Sequence, residues 1–379
     1  MTLPLARKRT TPLALAWLAG LALALVSLLG AVAIGPSPSS LSSLLHDAWS
    51  PASPSHLAAR AILFDVRLPR ALGSLLVGAC LSLSGVLLQA ATRNPIADPY
   101  LVGTSAGATL AAVLATPWLA ALAAGLGLDL ATVLPWSQSL AALCGAMLAV
   151  SLTFAIARTG GPARPERLLL AGLVLTAFAG AATSFVLYRL SDVRLRAATQ
   201  WLMGGVSVPS PWALAPGSLI LACAMAFGIA HAPHLNALGL GSDAARGVGV
   251  DEGRLSRQSI WWSSALAAAA VSLAGIVGFV GLLVPHGLRA VLGRDHRALV
   301  PAAAFAGGAL LCWMDALARV VVAPAELPVG ILTALFGCPL LVGLLGVYRR
   351  KPHAVEEPTQ PADLPQMTNQ PSVAAALLG

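Results

Sequence analysis

Residues 67–107 read RLPRALGSLLVGACLSLSGVLLQAATRNPIADPYLVGTSAG, and this stretch decides the fold. From Ala71 to Ala91 it is an apolar run of about 20 residues, long enough to cross the hydrocarbon core of a bilayer as a helix. Arginines flank one end. At the other end Thr92-Arg-Asn-Pro-Ile-Ala-Asp-Pro99 carries two prolines, each of which removes a backbone donor and pushes its predecessor out of helical geometry. A second apolar segment follows, with Gly103 and Gly107 at the spacing that lets helix backbones approach closely. Irregular backbone at membrane depth is tolerated only where protein or water covers it. The turn therefore reads equally as a hinge between packed helices or as an ordinary hairpin.

The rest of the chain repeats this pattern. Of 379 residues, 57% are hydrophobic and 10% charged, and the mean hydropathy is +0.81. Soluble domains carry about a quarter charged residues, so the composition excludes them and specifies an all-α, polytopic membrane protein with a single membrane domain over residues 12–348. The five cysteines, Cys80, Cys144, Cys223, Cys312 and Cys338, all fall in apolar segments without metal or redox spacing. The formal charge of +8 is scattered between apolar runs and forms no basic face for nucleic acid.

About ten spans are expected. The first, Pro12 to Ile34, follows the basic Arg7-Lys-Arg9; it imitates a signal peptide but is too long for one and reads as an uncleaved span. Gly35 to Asp65 reads as loop with one short helix. The third span runs about Pro99 to Thr116 and the fourth Trp136 to Ala157, with a Gly/Pro loop between them. The fifth is Leu168 to Tyr188. Gln200 to Gly205 reads as a short half-buried helix, and the sixth span is Pro211 to Ala230. Gln258 to Leu292 suits two antiparallel spans, the second ending near Pro285-His286. The ninth is Leu299 to Val322 and the tenth Leu327 to Tyr348. Residues 349–379 read as a disordered tail. Leu238 to Arg257 is too polar to span and reads as a surface helix, started by Ser242 and Asp243 and ended by Gly247 and Gly249.

Ten spans put both termini on one side. Of the 23 Lys and Arg residues, only Arg60, Arg67, Arg70, Arg189, Arg194, Arg196 and Arg319 fall on the other, so the positive-inside rule places the termini in the cytoplasm. No catalytic constellation emerges: the chain has no phosphate loop, no HExxH and no paired carboxylates on one span. His231 and His234, with Pro233 between them, make a poor metal pair, and no metal or cofactor is expected. Asp315 and Arg319, four residues apart, suit an ion pair on one helix face.

Arg67-Leu-Pro-Arg70, Arg93-Asn-Pro-Ile-Ala-Asp-Pro99, Gly278-Phe-Val-Gly-Leu-Leu-Val-Pro-His286, Asp295-His-Arg297 and Ala325-Glu-Leu-Pro-Val-Gly-Ile-Leu-Thr-Ala334 together resemble the signatures of the FecCD-type permeases. These are the bacterial inner-membrane subunits of ABC importers for vitamin B12, ferric siderophores and haem. The resemblance covers about Leu13 to Tyr348. It implies a ten-helix subunit of type II importer architecture, paired with a second permease copy or a similar chain in the lipid bilayer. ATPase subunits would sit at the cytoplasmic face and hydrolyse the ATP, and a substrate-binding protein would dock outside.

By the same resemblance Arg67, Arg70 and Arg319 would receive glutamates of the binding protein. The stretch from Leu238 to Val250 would be the coupling helix that meets the ATPase, through Gly241, Ser242, Asp243, Arg246 and Gly249. Its counterpart in the family reads LGEEVARSLGV, so Ser242-Asp243 stands where an acidic pair is common. The cytoplasmic gate would be Asn94 and Ile96 with Pro165 and Glu166, Glu166 replacing the small hydroxyl residue frequent there. A stand-alone secondary transporter is the other class to weigh; such proteins carry internal repeats and ionisable residues within spans, whereas Asp315 is the one acid expected inside a span here. The motifs do not separate a corrinoid, a siderophore or a haem as cargo.

The topology makes a direct prediction. A single cysteine introduced at position 243 in a cysteine-free chain should resist an impermeant thiol reagent in intact cells and react after permeabilisation.

Overall fold

The computed structural model describes residues 13–35, 41–50, 55–127, 130–159, 165–206 and 211–349, which contain helices and turns and no strand. The basic N-terminal segment, the tail and residues 160–164 of the 158–167 link lie outside the described residues. In chain order the helices are α1 (Leu13–Ala33), α2 (Leu41–Trp49), α3 (His56–Arg60), α4 (Leu68–Thr92), α5 (Thr104–Leu126), α6 (Leu130–Arg158), α7 (Pro165–Arg189), α8 (Asp192–Leu202), α9 (Pro211–Ala230), α10 (Ala232–Leu238), α11 (Ser242–Gly247), α12 (Glu252–Ala274), α13 (Val280–Leu292), α14 (His296–Val320) and α15 (Val329–Arg349). A π-helical stretch, Ala61–Arg67, joins α3 to α4, and a 3-10 turn, Pro99–Val102, leads into α5. The described residues up to Pro339 form one compact unit, and the described residues from Leu340 belong to a second, small one.

Among the described residues six helices are long and apolar enough to cross a membrane by length and composition. The expected spans have their counterparts in these six together with α5, α12, α13 and α15, so about ten is the right scale. Several boundaries differ. The central helix starts earlier than expected: 56–92 is one 37-residue helical run, because the widened π turns carry the chain through Asp65 without a break. The anticipated 117–135 loop is largely helical, since α5 continues to Leu126 and α6 begins at Leu130. The short helix expected from Gln200 begins eight residues sooner, at Asp192.

Apolar on every side, α4 is a helix that must be surrounded, and every residue from Leu76 to Ala91 is buried. It packs against α9, α12, α13 and α14. The contact is backbone to backbone. A Cβ placed on Gly78 would run into the carbonyl of Gly307 in α14, a Cβ on Gly307 would run into the carbonyl of Gly78, and one on Gly85 would strike the carbonyl of Gly281 in α13. Gly107 and Gly145 make the same reciprocal approach between α5 and α6, so Gly107 serves helix packing as its spacing suggests. Ser84 adds a polar tie to α12, its Oγ donating to the Ser263 carbonyl at 2.6 Å. The outer helices are the converse: Leu18, Leu29, Leu173, Phe178, Phe185 and Leu219 are exposed, an apolar surface of the kind that meets a membrane or another apolar chain.

Adding methyl groups to a close-packed core costs about 1–3 kcal/mol or more. Gly85→Val should therefore lower the thermal midpoint of the detergent-solubilised protein, followed by size exclusion. Gly180→Val, on α7 with nothing near its Cβ position, should leave it unchanged.

Candidate functional site

Each end of α4 carries a network of polar side chains. At the first, Arg70 places Nε and Nη2 on Asp315 Oδ1, at 3.1 and 3.0 Å, and Nη1 on Glu326 Oε2 at 2.8 Å. Arg319 approaches the other carboxylate oxygen, Nε to Oδ2, at 3.3 Å. The side chain of Asp315 is 0% exposed, that of Arg70 12% and that of Glu326 43%. The bond from Asp315 to Arg319 is the four-residue pair its spacing suggests. Arg67 and Arg319 meet at the C-terminus of α1, whose last carbonyls lack helical partners. Arg319 Nη2 donates to Ala31 O at 2.8 Å, and Arg67 Nη1 to Val32 O and Ala33 O at 3.1 and 3.3 Å. Cations are favoured at that negative helix end. Three arginines and two carboxylates thus weld α1, α4 and α14 together, with one net positive charge.

The other end of α4 stops at Arg93, which takes a left-handed conformation, φ 52°. The turn that follows is held from within. Asn94 Oδ1 accepts from the Ile96 N–H at 3.1 Å and Asp98 Oδ1 from that of Tyr100 at 2.8 Å. Tyr100 in turn donates its hydroxyl to Val277 O at 3.0 Å. Gln89 adds a brace. Its Nε2 donates to Gly281 O at 3.2 Å and to Ala97 O at 3.4 Å, and its Oε1 accepts from Arg289. The Gly281 carbonyl is available because Pro285, four residues on, has no N–H to offer it. This corrects the expectation that α13 ends near Pro285-His286: the proline lies inside the helix, its missing bond replaced by Gln89. The prolyl turn is therefore neither loose nor isolated. Arg93 reaches across to the surface segment, with Nε on Leu238 O at 3.0 Å, Nη1 on Ser242 Oγ at 3.0 Å and Nη2 on Glu252 Oε1 at 2.6 Å.

That surface segment is shorter than expected. Leu238 ends α10, and the helix proper, α11, runs only from Ser242 to Gly247. Its N-cap is Gly241, φ 123°, rather than Ser242, whose hydroxyl is engaged by Arg93. The C-terminal end is a Schellman motif: Gly249, φ 76°, follows the helix, Gly249 N–H donates to Arg246 O and Val250 N–H to Ala245 O, both at 2.9 Å. Ala245 and Val250 are buried, while Asp243, Arg246 and Gly249 are exposed. Glu166, in the first turn of α7, is also exposed and suits that positive helix end. It shares with Arg93, Arg246 and Glu252 a cavity of about 700 Å³. Asn94 and Ile96 do not line this cavity, and the side chain of Pro165 is outside the described residues.

A family model described as the FecCD transport family matches residues 11–346. The chain belongs to that family. Its apolar helices and this membership make it a multi-pass membrane permease. Among FecCD-related proteins, the chain is 36% identical over 286 residues to the hemin transport system permease protein HmuU of Yersinia pestis, covering 75% of this chain and 83% of HmuU. It is 37% identical over 288 residues to the cobalamin import system permease protein BtuC of Halobacterium salinarum, covering 76% and 74%. A solved ABC transporter of metal-chelate type, in an inward-facing conformation, superimposes with a TM-score of 0.72 at 26% identity, covering 88% of this chain and 99% of that one.

Within this FecCD permease the residues singled out from sequence fall into two groups. Arg67, Arg70 and Arg319 come together; Arg67 and Arg319 are buried and bonded to the last carbonyls of α1. Arg93, Gln89, Glu252, Arg289 and Glu326 were not anticipated as site residues. Their signal was present only as Arg93 and Glu326 standing inside quoted motifs. Among the described residues no group of three metal-ligating side chains occurs, and His231 bonds Phe227 O at 3.0 Å and stacks on its ring.

Removing one partner of a buried ion pair costs about 3–5 kcal/mol, since the other charge is left uncompensated. Asp315→Leu should thus sharply lower the thermal midpoint of the purified permease. Asp315→Glu should retain most of it.

Proposed function

We propose that this permease is the membrane subunit of an ATP-binding-cassette importer that moves a large metal chelate, a haem, a cobalamin or a ferric siderophore, along a path at its interface with a second permease copy. The observation that carries this reading is α4 itself, one buried helix with an ion network at one end and, at the other, a braced turn tied to a surface helix. Such an element can relate events at the two membrane faces. The relatives named for haem and cobalamin transport support the cargo class, and the inward-facing metal-chelate transporter supports the architecture.

In this reading the chain lies in the bacterial plasma membrane with both termini cytoplasmic, as its arginine distribution suggests. A separate pair of ATPase subunits hydrolyses ATP and meets α11 through Gly241, Ser242, Asp243, Arg246 and Gly249. The turn at Asn94 and Ile96, with Pro165 and Glu166 at the start of α7, forms the cytoplasmic gate. A substrate-binding protein docks at the Arg67 end. There Arg70 is the contact, because Glu326 is half-exposed and can yield its place to a partner carboxylate, whereas Arg67 and Arg319 hold α1 and supply the positive field. A secondary transporter is less well supported: Asp315, the acid inside a span, is neutralised by two arginines and is a poor carrier of ions.

Close charge pairs at an interface couple by about 1.5–7 kcal/mol. With the ATPase and binding protein reconstituted in proteoliposomes, cyanocobalamin, haem or a ferric siderophore should accumulate only with ATP. Arg70→Gln should weaken binding-protein affinity about tenfold or more at low salt. Uptake driven by an ion gradient without ATP would overturn the reading.

A further inference from the structure

The tie between Arg93 and the surface segment is absorbed by none of the roles above. One guanidinium contacts three separate helices: the last carbonyl of α10 at Leu238, the first side chain of α11 at Ser242, and the first residue of α12 at Glu252. It starts from the residue that caps the end of α4, where the left-handed turn leads the main chain into Asn94-Pro95-Ile96 while the side chain bonds the surface segment. An arginine fork has five donors in fixed geometry and can hold several acceptors at once, which a lysine ammonium cannot do in the same way. The α11 helix has only six residues and few buried anchors, so a polar tie at its first residue is a large part of its attachment. Arg93 and Glu252 are each 32% exposed and line the cavity with Arg246 and Glu166, within reach of a partner seated on α11.

We propose that Arg93 is a positioning residue through which a displacement of α11 moves the gate turn, with Glu252 as its counter-charge. This rests on the importer reading above. A partner that pulls α11 draws Ser242 directly and Glu252 through the four residues, 248–251, that join α11 to α12. Because Arg93 is covalently continuous with Asn94 and Ile96, the turn follows. An equilibrium is shifted only by interactions that differ between its two states, and this three-way bond is placed to differ between them.

The test uses the permease reconstituted with its ATPase and binding protein, reading cargo moved per ATP hydrolysed. A second reading is the change in labelling rate of Ile96→Cys, in a chain otherwise free of cysteine, when nucleotide is trapped. For wild type, both signals must be present; if ATP drives no uptake, the importer reading itself fails. Given both, Arg93→Gln and Glu252→Gln should each lower the transport-to-hydrolysis ratio about fivefold or more and abolish the nucleotide-dependent change at position 96, with ATPase assembly retained. Arg93→Lys, which keeps the charge and loses the fork, should recover only part. The exchange Arg93→Glu with Glu252→Arg should transport better than Arg93→Glu alone. An unchanged ratio in Glu252→Gln, full function in Arg93→Lys, or an exchange no better than the single variant would overturn the proposal. Should Arg93→Gln fail to assemble, Glu252→Gln decides, since it leaves the bonds to Leu238 and Ser242 in place.

Discussion

Backbone contact along α4 is the constraint on which the rest depends. In lipid no hydrophobic force brings one apolar helix to another, so association relies on close packing and on hydrogen bonds. The glycines at 78, 85, 281 and 307 bring main chains together over the middle of α4. That proximity lets side chains of modest length bridge helices at its ends. Gln89 reaches the carbonyl left free by Pro285 because Gly85 and Gly281 have already brought α4 and α13 into contact. Arg70 reaches Asp315 because Gly78 and Gly307 have done the same for α4 and α14.

The buried charges follow a related logic. A carboxylate without solvent is costly unless it is paired and hydrogen-bonded, and Asp315 has two arginines within 3.3 Å. Those arginines are themselves used twice, Arg319 closing the end of α1 as well. Arg67 and Arg319, two of the seven arginines set apart by the positive-inside count, therefore have an internal task, the capping of a helix terminus, alongside any role toward a partner. Charge bias along a sequence reports side, and it carries no information on what a side chain bonds.

Much of the fold was legible in advance because its signals are long. Apolar runs of about 20 residues, arginine-rich links and the spacing of Asp315 and Arg319 are robust to local detail. What escaped were features decided by three-dimensional neighbours. Pro285 reads as a terminus on propensity, yet a donor from 196 positions earlier in the chain, Gln89, makes the interior position tolerable. Ser242 reads as an N-cap, yet Arg93 claims its hydroxyl and Gly241 takes the cap. Neither partner lies near in sequence, so no window of residues could disclose either arrangement. The motif RNPIADP was recognisable as a turn, while the reach of its first residue to α10, α11 and α12 was not.

The reciprocity of Gly78 and Gly307 has a consequence for how such a chain can drift. Each glycine excludes a side chain at the other's carbonyl, so neither position can enlarge first, and enlarging both only compounds the clash. The pair has no neutral neighbour in sequence space. Positions exposed on this chain, such as Leu173 and Phe178, have no such reciprocal contact within it. Substitution in this chain is thereby tolerated more readily outward, in the apolar coat, than at the glycine contacts inside it.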